Sequence, residues 1–347
     1  MPHFDCKILL LLLLLPSCKN EKSIENQLVV DISQATIRAE PSEKSRQLAT
    51  VDKGQPLIDL GEVGPSESLV AHGNDVYQSP WIKVQTFDNQ IGWMLAWALK
   101  PVQKHKDWLL QKRMDCYFGK TLTKRRNAVF QSFENLKTEQ QLSDLWQASA
   151  DLRDTFLQLI SSRPEGDFKL QFDWLNAVLP GFIFQKNEFE NRPEIFADFL
   201  FWTQKALKTN GLQDDTFFQT CILAFSKDSI ESFFPAWKFQ ISETESASQL
   251  GLGQHIKMLQ QIDRSLQTGT LFTVLLTTFK DQVLEDIFEK GVRYWQPKDK
   301  ILKELGQILA DPPKCLSMRE LEALGIRLKM FEDPVGNGIV VNLRSGE

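Results

Sequence analysis

Apolar and polar positions alternate in short segments between residues 28 and 102, and turn residues separate these segments. A period of two is typical of half-buried β-strands, and the segments are rich in the β-branched and aromatic residues that strands favour. The candidate strands are Leu28–Ile32, Thr36–Arg38, Gln47–Val51, Gln55–Leu60, Ser68–His72, Trp81–Thr86 and Ile91–Met94. The pattern predicts a small all-β barrel or sandwich over residues 28–102.

From residue 103 to residue 347 the apolar spacing changes to three and four, which indicates amphipathic helices. Capping boxes, in which Ser or Thr precedes Gln or Glu by three positions, stand at Thr138 with Gln141 and at Ser317 with Glu320. The predicted helices are Leu142–Ile160, one that starts at Pro193 and ends at Asn210, Asp215–Phe225, Ser246–Leu266, Leu271–Glu289 and Lys298–Leu309. The sequence therefore predicts a multidomain chain in which an all-α helical domain follows the β domain.

The last segment of the chain departs from this helical pattern. Arg327–Phe331 and Ile339–Leu343 flank a sequence with two glycines and an asparagine, which are residues that tight turns favour. We expect a short C-terminal β-hairpin here.

The chain begins with an unbroken apolar run, Ile8–Leu15. A membrane-spanning helix needs about 20 apolar residues, so this run fits the core of a signal peptide instead. The tetrapeptide Leu15–Cys18 resembles the lipobox of bacterial lipoproteins. This resemblance implies removal of residues 1–17 as a lipoprotein signal peptide, lipidation of the Cys18 sulfur and acylation of its amine. The alternative is an ordinary signal peptide, with Cys18 incidental.

Residues 18–27 are polar and predict a tether that reaches about 30 Å at full extension. Lys19 follows Cys18, and in bacterial lipoproteins a residue other than Asp at this place implies sorting to the outer membrane rather than the inner one. We therefore expect a protein of the bacterial cell envelope that a lipid anchor holds at a membrane.

Several blocks of the β region resemble bacterial SH3 domains in order and spacing: Ala35–Ser42, Leu48–Val51, Lys53–Leu57, Trp81–Val84 and Gly92–Met94 with Trp97. The resemblance implies an SH3-like β-barrel over residues 28–102 that is non-catalytic. It also implies that exposed aromatic residues on one rim form a groove for an extended peptide, such as cell-wall peptide. The stretch from Gly61 to Ser79 is longer than the usual connection in this family and predicts an extended loop or hairpin.

Five residues of the β region are candidates for ligand binding: Tyr77, Trp81, Trp93, Trp97 and Arg38. Tyr77 lies in the long connection and carries a polar hydroxyl, which makes it the strongest surface candidate. Trp81 and Trp93 have an alternative role as core residues of the barrel. Arg38 either binds a ligand carboxylate or braces its own loop.

Charge and cysteine content exclude some classes of function. The formal net charge of −5 gives no overall positive field for nucleic acid. Beyond Cys18 and the signal peptide, the cysteines are Cys116, Cys221 and Cys315, at spacings that match no zinc motif. We expect buried free thiols, with one disulfide as the alternative, and neither a cofactor nor a metal.

One alternative assigns catalysis to the helical region. Glu231–Ala236 and Gly251–Gln254 are faintly similar to two blocks of lytic transglycosylases, and that chemistry needs a buried Glu as general acid. The main prediction is a non-catalytic binding or scaffolding protein and not an enzyme. Its expected partners are the membrane, through the lipid anchor, and peptidoglycan or an envelope protein. The alternative is a peptidoglycan-lytic enzyme with Glu231 as general acid.

Overall fold

A computed structural model describes residues 26–72, 75–103, 107–162, 173–187, 192–242, 245–289 and 291–341. The predicted signal peptide, Cys18 and nearly all of the tether lie outside these residues. The chain divides into two compact units, Met1–Tyr117 and Phe118–Glu347. In the part of the chain that is described, no helix has the length and hydrophobicity needed to cross a membrane.

The first unit contains a seven-stranded sheet in which every pair of neighbours is antiparallel. The strand order is β3-β2-β6-β5-β4-β1-β7, and a short 3-10 helix at Ala96–Ala98 precedes the last strand. The strands are β1 (Gln27–Val30), β2 (Ala35–Arg38), β3 (Gln47–Val51), β4 (Pro56–His72), β5 (Asp75–Gln85), β6 (Ile91–Leu95) and β7 (Leu99–Pro101). This region confirms the predicted all-β domain.

One hydrophobic core fills the inside of this sheet. Over Ile82–Val84 of β5 burial alternates, because Ile82 and Val84 are fully buried in the core and Lys83 between them is partly exposed. The residues before Ile82, from Ser79 onward, are buried in succession. Each of the other six strands contributes to the same cluster, through Leu28, Val30, Ala35, Ile37, Val51, Leu57, Met94 and Leu99. The period of two that predicted the strands thus also separates the core from the surface.

The long connection from Gly61 to Ser79 is a hairpin formed by extensions of β4 and β5. Pairing continues from Ile58 opposite Gln85 to His72 opposite Asp75, and the register shifts twice on the way. Such irregularities bend and twist a strand pair, which lets the hairpin leave the curvature of the main sheet. The turn of the hairpin lies outside the described residues.

The first helix, α1 (Trp108–Glu134), begins in the first unit and packs against this hairpin. The Lys112 ammonium lies 2.6 Å from the Asp59 carboxylate, and the Arg113 guanidinium lies 3.2 Å from Glu67. All four side chains are largely buried, and the Glu67 side chain is only 1% exposed. Breaking a buried ion pair by removing one partner typically costs about 3–5 kcal/mol, so these contacts hold α1 to the hairpin.

Hydrogen bonds surround the Glu67 carboxylate with further polar groups of the same unit. The Tyr117 hydroxyl donates to Glu67 over 3.2 Å and accepts from the Gln78 amide over 2.8 Å. Burial raises the pKa of Glu67, while the Arg113 charge and these hydrogen bonds oppose the rise. The unfavourable effect of burial on the charged carboxylate is therefore larger than the favourable effect of its charged and hydrogen-bonded partners.

The second unit is predominantly helical, as the sequence predicts. After the remainder of α1, which is interrupted at Gly119 by a left-handed φ of 79°, come α2 (Glu139–Ser161), α3 (Phe199–Ala206), α4 (Gln213–Ala224), α5 (Gln254–Thr268), α6 (Thr273–Phe288), α7 (Lys298–Ala310) and α8 (Met318–Glu332). Both predicted capping boxes are present at the starts of α2 and α8. The local sequence therefore predicts the starts of these two helices correctly.

Two small sheets interrupt the helices, and the sequence analysis did not predict them. The first pairs β8 (Phe182–Asn187) with β9 (Arg192–Ala197). The second has the order β10-β11-β12-β13, formed by β10 (Lys238–Gln240), β11 (Ser246–Ser248), β12 (Arg293–Tyr294) and β13 (Val340–Val341). The prediction that a helix starts at Pro193 is wrong, because Pro193 lies in β9. The helix of this region is α3, which begins at Phe199 after its N-cap residue Asp198.

The predicted C-terminal hairpin needs correction. A short strand is present, but β13 pairs in parallel with β12, and Arg327–Phe331 belongs to α8. Leu324, Arg327 and Phe331 recur at spacings of three and four and are all buried, so helix packing decides the conformation of this segment.

Aromatic side chains form the centre of the second unit. Trp146 contacts Trp202 edge to face at 4.9 Å between ring centroids, and Phe217 stacks on Phe272 at 4.2 Å. Trp202, Phe217 and Phe218 are at most 1% exposed. The Phe-rich helical segments are therefore core.

Two cysteines of the second unit are thiols outside any disulfide. Burial raises the pKa of Cys221 well above its ordinary value and raises that of Cys315 to about 11. Because the thiolate is the reactive form, the raised pKa lowers the reactivity of both thiols at neutral pH. Cys116, in the first unit, is also buried.

The Glu67 environment makes the stability of the first unit depend on pH. The pKa of Glu67 is higher in the folded than in the unfolded chain, so the folded state binds more protons at pH values between the ordinary carboxyl pKa of 4.5 and the raised one. Wild type should therefore gain stability relative to Glu67→Gln as pH falls from 7 towards 4.5. Urea denaturation at both pH values measures this difference.

Glu62→Gln is the matched control, since it removes a carboxyl from the same strand where the side chain is 54% exposed. A difference between wild type and Glu67→Gln that stays constant over this pH range would contradict the raised pKa.

Candidate functional site

Tyr77 and Trp97 form a stacked aromatic pair on the first unit. Their ring centroids lie 5.3 Å apart and their planes differ by 8°. Tyr77 lies on β5 in the hairpin and is 38% exposed, while Trp97 lies in the 3-10 helix and packs its inner side against the barrel core. The structure thus brings together two of the predicted binding residues, on a surface that solvent reaches.

A buried serine fixes this pair in place. The Trp97 backbone N–H donates to the Ser79 hydroxyl over 2.9 Å, and Ser79 is fully buried. Ser79 is two residues after Tyr77, so both side chains leave the same face of β5. The contact ties the hairpin to the 3-10 helix and sets the distance between the two rings.

The opposite face of the hairpin is the one that holds α1. Glu67 and Gln78 lie on this face and bond to Arg113 and Tyr117 of the helix. Alternation along β5 therefore places Gln78 on the face that holds α1 and Tyr77 on the opposite face, where its ring is partly exposed.

Trp81 has a structural role, which corrects the prediction that it contacts a ligand. Its side chain is 1% exposed, and its indole N–H donates to the Ser68 hydroxyl over 2.8 Å. A Cβ placed on Gly64 would lie 2.9 Å from Pro41 Cβ and 3.0 Å from Trp81 Cβ, so the backbone of β4 approaches Trp81 closely at this point. Trp81 therefore packs inside the first unit and is not exposed to a ligand.

Trp93 and Arg38 lie opposite each other on the neighbouring strands β6 and β2. Trp93 is half-buried, and the Lys83 ammonium lies 5.7 Å from its ring centroid. Lys83 in turn pairs with Glu62 over 3.0 Å. This row of side chains forms a polar outer face of the sheet.

Arg38 braces its own loop, which was one of the two predicted roles. Its guanidinium donates to the Ser45 carbonyl oxygen over 2.7 Å, across the connection between β2 and β3. The Ser45 hydroxyl accepts from the Glu40 backbone N–H over 2.8 Å, which closes the same loop. Arg38 and Ser45 therefore hold the conformation of the loop between β2 and β3, which contains Pro41.

Glu231, the alternative general acid, is held in an ion pair. Its Oε2 accepts from Arg153 and from the Ala197 backbone N–H, each over 3.0 Å. Both contacts stabilise a charged carboxylate, whereas a general acid must carry a proton when substrate binds. Nothing in this geometry favours the lytic role. Among the described residues, no group of His, Cys, Asp and Glu is arranged to hold a metal ion.

The sequence analysis missed the residues that position the aromatic pair. Ser79, Gln78 and Glu67 fell in the stretch treated as a long connection, where alternation is weak. The signal available was local: Tyr77, Ser79 and Trp81 stand two apart and so share one face of a strand.

Comparisons with known proteins identify the family of the β region. Searches of curated proteins and of solved structures found no significant match. The family model of the bacterial SH3 domain matches residues 33–100, which contain β2 to β6, the 3-10 helix with Trp97 and the first two residues of β7. A domain of this family is consistent with a protein of the bacterial cell envelope. Residues 33–100 are a bacterial SH3 domain.

Proposed function

We propose that this protein is a lipid-anchored component of the bacterial cell envelope whose SH3 domain binds cell-wall peptide without catalysing its cleavage. The observation that carries the proposal is the exposed face of Tyr77, stacked on Trp97 at a fixed distance. Rigid aromatic surfaces bind extended peptides at low entropic cost, because their side chains are already ordered.

The pre-organisation of the pair supports binding at this surface. Ser79 holds the 3-10 helix, and the buried contacts of Glu67 with Arg113 hold the hairpin. Neither ring has to change position when a ligand arrives. Tyrosine and tryptophan are also the residue types that most often dominate binding energy at interfaces.

The sequence supports attachment to a membrane through lipid. The lipobox-like Leu15–Cys18 provides the modification site, and a tether follows it up to residue 27. Each buried methylene of an acyl chain contributes about 0.8 kcal/mol, so two or three chains hold a protein stably at a bilayer. Lys19 after the cysteine favours the outer membrane.

The environment of Glu231 supports binding rather than lysis as the activity. A glycosidase of the usual kind needs a protonated carboxylic acid next to the glycosidic bond. The Glu231 carboxylate instead lies against the Arg153 guanidinium, with 3.0 Å between Oε2 and Nη1. A scaffolding role, in which the helical unit meets other envelope proteins, is compatible with the same anchor.

Wall binding can be tested by co-sedimentation of the protein with purified peptidoglycan. Tyr77→Ala should weaken retention about tenfold, since it removes one aromatic contact with the ligand and about 1.4 kcal/mol of binding free energy. Phe87→Ala is the matched control, because Phe87 is a more exposed aromatic residue, at 64%, in the same domain.

Equal retention of wild type and Tyr77→Ala would contradict the assigned surface. Release of soluble fragments from the wall, lost in Glu231→Gln, would contradict the non-catalytic proposal and favour the lytic enzyme.

Lipidation can be tested by growing expressing cells with a labelled fatty acid. The wild-type protein should carry the label, and Cys18→Ala should lose it because the acceptor sulfur is gone. Cys221→Ala, which removes a buried thiol, is the control for loss of a cysteine. A wild-type protein without label would show that the signal peptide is an ordinary one.

A further inference from the structure

A cleft of about 510 Å³ opens on the second unit, between the end of α4 and the small sheet. Its walls come from the turn after Phe225, the loop before β10, β10 itself and the first residue of α5. Sites for small molecules typically measure about 300–1,000 Å³. The cleft has this size, and none of the roles described above uses it.

Aromatic rings form one side of the cleft and continue beyond its edge. Phe225, Phe234 and Phe239 line it. Phe239 stacks on Trp295 with 4.6 Å between ring centroids, and these two side chains are 40% and 43% exposed. The stack holds both rings in one orientation, so their exposed parts form an ordered apolar platform at the edge of the cleft.

Amide side chains face the same cleft. Gln240, Gln249 and Gln254 all line it. The Gln249 Nε2 donates to the Lys238 carbonyl oxygen over 2.9 Å, which orients this amide from within the sheet. An amide both donates and accepts hydrogen bonds, so the three together match a ligand whose groups do the same.

Three charged side chains line the cleft, Lys227, Asp228 and Lys238, so their formal charges sum to +1 and give only a weak field for an anionic ligand. Lys227 follows the carboxyl end of α4, where the helix dipole favours a cation. The amino end of α5 is closed to anions, because the Glu304 carboxylate accepts from the backbone N–H groups of Gly253 and Ile256 over 2.8 and 3.1 Å.

The edge strand β10 is poorly suited to bind a peptide by strand addition. That mode needs a row of main-chain groups able to bond to the added strand. The Lys238 N–H donates to the Pro235 carbonyl oxygen over 2.7 Å, and the Lys238 carbonyl accepts from Gln249. The first residue of a three-residue strand is thus already engaged.

We propose that this cleft binds an oligosaccharide that carries acetamido groups. The apolar C–H face of a sugar ring would lie on the Phe239–Trp295 platform, and hydroxyl and amide groups would bond to Gln240, Gln249 and Gln254. The assignment concerns the second unit alone and is independent of the peptide surface at Tyr77.

Titration calorimetry of the full-length protein in detergent with the tetramer of β-1,4-linked N-acetylglucosamine tests this assignment. Phe239→Leu should weaken binding about fivefold by shrinking the platform, and Gln254→Met, which keeps the length of the side chain, about fivefold by removing the amide. Gln260→Met, on the exposed side of the same helix, should bind as wild type does. Tyr77→Ala should also bind as wild type does.

Three results would overturn the proposal. The first is absence of binding by the wild type. The second is equal binding of maltotetraose, which has no acetamido groups, or tighter binding of tetraalanine. The third is loss of binding in Tyr77→Ala with retention in both Phe239→Leu and Gln254→Met, which would move the sugar to the SH3 domain.

Discussion

The buried pairing of Glu67 with Arg113 is the contact on which the candidate peptide surface depends. An isolated two-stranded ribbon is at best marginally stable in water, so the extended β4–β5 hairpin needs a partner along one face. The first turns of α1 supply it through ion pairs and the Tyr117 hydroxyl. Because side chains alternate across a strand, covering one face fixes the orientation of the other, which carries Tyr77. The hairpin is therefore held by charge on one side and offers an aromatic ring on the other.

Buried charges take a second role in the helical unit, where they hold irregular backbone. The Arg126 guanidinium donates to the carbonyl oxygens of Ala177 and Val178, at the end of a short 3-10 helix. Arg327 donates to the Ile287 carbonyl oxygen at the end of α6. Glu304 closes the start of α5 in the same way. Helix ends leave backbone groups unsatisfied, and burying them requires such partners. These contacts satisfy the backbone groups at the helix ends, so the segments that connect the helices can pack although the unit has no repeating arrangement of helices.

Local signals predicted much of the fold, and long-range packing decided the remainder. The strands of the barrel, the capping boxes at Thr138 and Ser317 and most helices follow from periodicity and caps. The parallel pairing of β12 with β13 depends on contacts between distant segments, which single-sequence patterns do not record. The β8–β9 hairpin is local, and it was not predicted because Pro193 was interpreted as the start of a helix. For the candidate site, residue type identified Tyr77 and Trp97 but also Trp81, because a tryptophan looks the same in sequence whether it packs or binds.

The perturbed titratable groups of this protein are explained by structure, and this bears on the choice between binding and catalysis. A strongly shifted pKa often marks an active site, but ion-pair networks shift pKa values as well. Glu67 has a raised pKa because it is buried, and its partners are Arg113 and Tyr117 of the adjoining helix. Asp214, whose pKa is also raised by burial, accepts from Thr209 and from the Asp215 backbone N–H at the start of α4. Neither carboxyl lines the cleft or adjoins the Tyr77–Trp97 pair. The Tyr77–Trp97 pair combines aromatic rings with the Ser79 hydroxyl, and the cleft combines aromatic rings with glutamine amides and the charged side chains of Lys227, Asp228 and Lys238.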